Sequence, residues 1–87
     1  MTSKEVLEKL EELGYKVIYN DNMLLRLNRT LKRGGKIYLE ILKDGKGFKG
    51  YFINNRSEEE KVVYITYDVL YLVQELLKGY LENEKLD

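Results

Sequence analysis

The apolar residues of this chain change their spacing twice. Val6, Leu7, Leu10 and Leu13 recur three and four apart; from Lys16 to Thr66 apolar and polar residues alternate; then Val69, Leu72, Val73, Leu76 and Tyr80 return to helical spacing. A stripe of period 3.6 lines one side of a helix, and a period of 2 lines one face of a strand. The chain therefore reads as helix, strands, helix.

Local signals set the ends of these segments. Thr2 followed by Glu5 fits a capping box, which predicts a first helix from about Ser3 to Leu13. Gly14 stands where a left-handed C′ residue is wanted, and Tyr15 can pack back on Leu10 in a Schellman stop. The second helix is expected from Asp68 to about Lys78, with Thr66 or Asp68 as its cap. Gly79 either ends it or weakens it, with Glu82 to Asp87 as a polar tail.

Between the helices, Lys16 to Tyr19, Met23 to Leu31, Lys36 to Lys43, Phe48 to Ile53 and Lys61 to Thr66 read as five strands. Their connections carry turn residues: Asn20-Asp21-Asn22, Arg33-Gly34-Gly35, Asp44-Gly45 with Gly47, and Asn54 to Ser57 with its acidic run. Short connections imply sequential hairpins. The expected fold is α+β: an antiparallel five-stranded β-meander flanked by an N-terminal and a C-terminal helix, both on one face of the sheet.

Alternation assigns the two faces. Leu25, Leu27, Ile37, Leu39, Ile41, Phe48, Phe52, Val63 and Ile65 should meet the helices. Arg26, Asn28, Thr30, Tyr38, Glu40, Lys49, Tyr51, Tyr64 and Thr66 fall on the other side. The order of elements is similar to that of the double-stranded RNA-binding domain. Five strands replace three, however, and no basic cluster opens the second helix, so no function carries over from the likeness.

Eighty-seven residues, 44% hydrophobic and 34% charged, make one domain spanning 1–87 with one core. Cysteine and histidine are both absent, which excludes disulfides, zinc-finger spacings, thiol nucleophiles and imidazole bases. No catalytic residue, metal ligand or cofactor motif is assigned, and the expectation is a non-enzymatic protein. Thr2, Ser3, Lys4 and Glu5 open the chain without an apolar signal segment, and no apolar run approaches a membrane span. A cytoplasmic setting away from the membrane is expected.

The total charge is zero, but it is unevenly spread. Residues 1–21 hold three basic and five acidic side chains, residues 22–50 eight and two, and residues 51–87 four and eight. Such asymmetry points to partners. Arg26, Arg29, Lys32, Arg33 and Lys36 lie on one hairpin, with Lys49 on a later strand and Tyr38 and Tyr51 among them. Lysine and arginine can follow phosphates while bases stack on tyrosine, so nucleic acid is the first partner expected.

The alternative is a small regulator or inhibitor, of the kind mobile elements encode, that binds another protein. It would use the basic hairpin, a sheet edge, or helices whose Glu5, Glu8, Glu11, Glu12, Glu75, Glu82, Glu84 and Asp87 imitate a phosphate backbone. A homodimer could form through an edge strand, Lys16 to Tyr19 or Lys61 to Thr66. Asp44-Gly45-Lys46-Gly47 lacks the spacing and the following helix of a phosphate loop and reads as a turn. Glu40 and Lys43, three apart on a strand, face opposite ways and cannot share a site. Glu58, Glu59 and Glu60 read as a solvated loop or helical turn.

Overall fold

A computed structural model describes residues 1–32, 34–54, 60–62 and 65–86, with the side chains of 60–62 and 81–86 excepted. Helix α1, Ser3–Glu12, starts where Thr2 Oγ1 accepts the Glu5 backbone N–H at 3.2 Å. Its end is a complete Schellman motif. Tyr15 N–H reaches Leu10 O at 3.0 Å and Gly14 N–H reaches Glu11 O at 2.9 Å, with Gly14 at φ 96°. Tyr15 is thereby turned back onto Leu10 and into the core.

Four strands follow as an antiparallel meander: β1 Lys16–Asn20, β2 Leu24–Thr30, β3 Lys36–Leu42 and β4 Gly47–Ile53. A three-residue β5, Glu60–Val62, pairs antiparallel with Tyr51 to Ile53 of β4. The strand expected over Lys61 to Thr66 does not have that extent. Ile65 and Thr66 lie outside any strand, because Thr66 O already accepts the Leu70 N–H that starts the second helix. Val63 and Tyr64 lie outside the described residues.

The turns use the residues the sequence offered. Asp21 Oδ1 accepts the backbone N–H groups of Met23 at 2.8 Å and Leu24 at 2.7 Å, closing the β1–β2 connection. Between β2 and β3, Gly35 has φ 86° and lies so close to Phe52 that an added Cβ would stand 2.8 Å from the ring. Only glycine fits both demands.

Helix α2 runs Tyr67–Leu86, well beyond the expected end near Lys78. Gly79 is interior to it. The reason is packing: a Cβ there would lie 2.5 Å from Ser3 Oγ, so the missing side chain lets the start of α1 approach. Glycine disfavours a helix interior by roughly 1 kcal/mol, and at this position any larger residue would have to displace Ser3.

Val6 and Leu10 of α1 and Val69, Leu72, Val73 and Leu76 of α2 form one cluster with Tyr15, Leu25, Leu27, Leu39 and Ile41. Ile37, Phe48 and Ile65 pack against it. The alternation thus placed Leu25, Leu27, Ile37, Leu39, Ile41, Phe48 and Ile65 on the helix-facing side, while Phe52 is not part of that cluster and Val63 lies outside the described residues. Strand β1 is different, since all five of its residues are exposed, Val17, Ile18 and Tyr19 included. Its pairing with β2 slips between Val17 and Tyr19, a bulge at the edge of the sheet.

Candidate nucleic-acid interface

The second face of the sheet is assembled by register. Lys16, Asn28, Tyr38 and Tyr51 form one cross-strand row, and Tyr19, Arg26, Glu40 and Lys49 form the next. Outside these lie Thr30, Lys36 and Ile53 on one side and Leu24, Leu42 and Gly47 on the other. The buried residues of both helices belong to the cluster on the opposite face.

Glu40 is the hub of this surface. Its Oε1 pairs with Arg26 Nη2 at 2.7 Å and accepts the Tyr51 hydroxyl at 2.9 Å. The Tyr51 ring stacks on Tyr38, with centroids 5.1 Å apart and planes 8° from parallel, and Lys49 Nζ lies 5.1 Å from its centroid. Only 7% of Tyr51 remains exposed. Such a pair stabilises the sheet by about 0.5–1.5 kcal/mol beyond its buried area.

This alters the role expected of the tyrosines. Tyr51 is closed over and cannot serve as a stacking platform, while Tyr38 gives one ring face to its partner. Tyr64 lies outside the described residues. Cross-strand pairing has taken the aromatic surface that alternation alone left free for bases.

The basic hairpin is also divided. Arg26, Lys36 and Lys49 share the uncovered face with Tyr38 and Tyr51, and Lys32 is exposed in the β2–β3 turn. Arg29 is turned to the helix side: its Cζ lies 5.9 Å from the Tyr15 centroid, and its Nη1 lies 3.5 Å from Leu13 O. Arg29 follows Arg26 at a spacing of three, and odd spacing on a strand reverses the face. Arg33 lies outside the described residues.

Register adds one cation that the sequence reading passed over. Lys16 pairs with Asn28 and joins the tyrosine row. Among the described side chains of this face, Lys16, Arg26, Lys36 and Lys49 stand against Glu40 and against Asp21, whose Oδ2 accepts from the Tyr19 hydroxyl at the edge. Lys46, in the β3–β4 turn, adds a further ammonium at the border. A signal for Lys16 was present in the sequence, but the bulge after Val17 hid the parity of β1.

The exposed side of α1 is acidic, while the helix side of the sheet also carries Arg29, Lys43 and Lys78. Glu5, Glu8, Glu11 and Glu12 are exposed on α1, with Lys4 and Lys9 among them, and Lys9 Nζ lies 3.8 Å from Glu12. Glu75 of α2 lies 3.9 Å from the terminal ammonium. The side chains of Glu82, Glu84 and Asp87 lie outside the described residues, as do Glu58, Glu59 and the side chain of Glu60.

Other readings resolve locally. Asp44-Gly45-Lys46-Gly47 is a hairpin turn, in which Gly45 N–H reaches Leu42 O at 3.2 Å and Lys46 N–H reaches Asp44 Oδ1 at 2.9 Å. Lys43 Nζ lies over the Tyr80 ring at 5.0 Å, on the helix side and away from Glu40. Among the described residues no group of three or more acidic side chains converges on a metal position, and no helix is long and apolar enough to cross a membrane. Burial raises the Tyr15 hydroxyl above its ordinary pKa, with Arg29 opposing, and burial likewise raises Tyr80.

Comparison with protein-family models, curated proteins and solved structures finds no match for this chain.

Proposed function

We propose that this is a non-enzymatic binding protein that holds nucleic acid on the uncovered face of its sheet. The observation that carries the reading is the excess of cations on that face, Lys16, Arg26, Lys36 and Lys49 against Glu40 and Asp21, with the exposed side of α1 acidic. Lys16, Lys36 and Lys49 stand on three strands and in three different rows, about 10–15 Å apart, so a strand laid across the sheet meets them at separated phosphates. Lys32 at the turn extends the contact. In this reading the sheet is a five-stranded meander with Glu60–Val62 its shortest member, and the protein works in the cytoplasm.

Because Tyr38 and Tyr51 stack on each other, affinity rests on phosphate contacts more than on base stacking. Three to four such contacts to a single strand give a log–log salt slope of about −2 to −3, a loss of about 20- to 50-fold between 50 and 200 mM salt. A mobility-shift titration at low salt with single- and double-stranded DNA and RNA tests this. Absence of binding into the high micromolar range with all four would remove the reading. In that event the acidic exposed face of α1 makes the small protein-binding regulator the account to pursue, through recovery of a stoichiometric protein partner after nuclease treatment.

A further inference from the structure

At the β3–β4 end of the uncovered face, the sheet sinks into a recess of about 310 Å³. Leu24, Leu42 and Gly47 form a cross-strand row here, and Glu40, Lys46 and Lys49 border it. The recess is a product of that row. Gly47 brings no side chain opposite Leu42, and an added Cβ there would meet nothing within 4 Å. A second hollow of about 270 Å³ continues past Leu24 and Leu42 to Met23 and Asp44.

The lining prescribes a chemistry. Leu24, Leu42 and Phe48 suit a flat apolar group, and the two ammoniums suit an anion beside it. Neither Lys46 nor Lys49 is in an ion pair among the described residues. The Glu40 side chain keeps 24% exposure, and its carboxylate has about four acceptor positions, so Arg26 and Tyr51 do not exhaust it. A ligand for this place has a planar apolar body, a donor on its edge and a phosphate within reach of the lysines.

We infer that the recess takes one unpaired, amino-bearing base of a single strand, cytosine foremost, with its phosphate on Lys46 and Lys49 and its exocyclic amine donating to Glu40. This rests on the reading that the uncovered face holds nucleic acid. A volume near the lower end of the roughly 300–1,000 Å³ typical of small-molecule sites admits one base, and a duplex base would first have to flip out. Carboxylates accept from cytosine N4, whereas thymine and uracil present the O4 acceptor at the same edge and are repelled. Phosphate contacts supply affinity, and Glu40 supplies the choice of base.

The test is fluorescence anisotropy of the full chain with labelled oligo(dC), oligo(dT) and a duplex of equal length at 50 mM salt, repeated with Glu40→Gln and Lys46→Gln. Oligo(dC) should bind about tenfold or more tighter than oligo(dT) and than duplex. Glu40→Gln should narrow the dC-to-dT ratio toward unity. Lys46→Gln, in an exposed turn that tolerates the change, should weaken dC binding while leaving the thermal melt in place. Equal, salt-sensitive binding of all three ligands would overturn the recess and leave the broader interface standing. No binding of any would overturn both.

Discussion

The rings of Tyr38 and Tyr51 sit at directly paired positions of β3 and β4, 5.1 Å apart and 8° from parallel. Tyr51 adds a 2.9 Å hydrogen bond to Glu40, which also holds Arg26 at 2.7 Å. Four side chains from three adjacent strands thus form one connected patch on the face away from the helices. The patch stiffens the sheet and fixes the direction of the Glu40 carboxylate.

Tyr51 should therefore matter first for stability. Tyr51→Ala removes a nearly buried aromatic and is expected to cost about 3 kcal/mol or more in urea unfolding. Tyr51→Phe keeps the stack but loses the bond to a carboxylate, at about 1.5–3 kcal/mol discounted for the partial exposure of Glu40. Tyr51→Phe, which keeps the ring and leaves the phosphate contacts untouched, should hold nucleic-acid affinity at low salt within about twofold.

Cations on the two faces of the sheet should behave differently. Arg29→Gln, on the helix side beside Tyr15, should leave the salt slope of binding unchanged, whereas Lys36→Gln and Lys49→Gln should each lower it by about 0.7 for single strands. Titrations at several salt concentrations separate the cases. A loss of slope with Arg29→Gln would place the contact on the wrong face.

Gly35 and Gly47 both have positive φ, at 86° and 140°, but only Gly35 is hemmed in, with an added Cβ 2.8 Å from Phe52. Alanine is strained at either position, and at Gly35 it must also displace a ring. Gly35→Ala should cost about 1–3 kcal/mol more than Gly47→Ala in chemical denaturation.

The β1–β2 turn predicts a dependence on pH. Tyr19 donates to Asp21 Oδ2 at 2.7 Å, which, with the Met23 and Leu24 N–H groups, holds the Asp21 carboxyl below its ordinary 3.8 and raises the Tyr19 hydroxyl above 10.0. A lowered carboxyl pKa gives stability that is present above pH 3.8 and lost as pH falls through the folded value. A raised hydroxyl pKa gives stability present below pH 10.0 and lost as pH rises past it. Both groups are exposed, so the effects are small. The urea midpoint of Asp21→Asn should fall below wild type at neutral pH and converge with it in acid.

Much of this architecture was legible because single residues had single explanations. Thr2, Gly14 and Tyr15 specified both ends of α1, and alternation placed Leu25, Leu27, Leu39 and Ile41 on the helix side. What escaped did so for want of knowledge of neighbours, as with the stacking of Tyr38 on Tyr51 and the turn of Arg29 toward Tyr15. Gly79 is kept within α2 by the approach of Ser3, and the Lys16 face depended on an edge bulge. The doublets Leu24-Leu25 and Ile41-Leu42 break the alternation, and that break was the available sign that the polar face contains an apolar recess.

Which face of the sheet meets nucleic acid is read directly by amide chemical-shift mapping of the labelled protein. On titration with a short cytosine-rich single strand, shifts should concentrate at Lys16, Arg26, Lys36, Glu40, Lys46 and Lys49, with α1 and α2 unmoved. Shifts confined to the helices, or none at millimolar ligand in low salt, would contradict binding at the uncovered face.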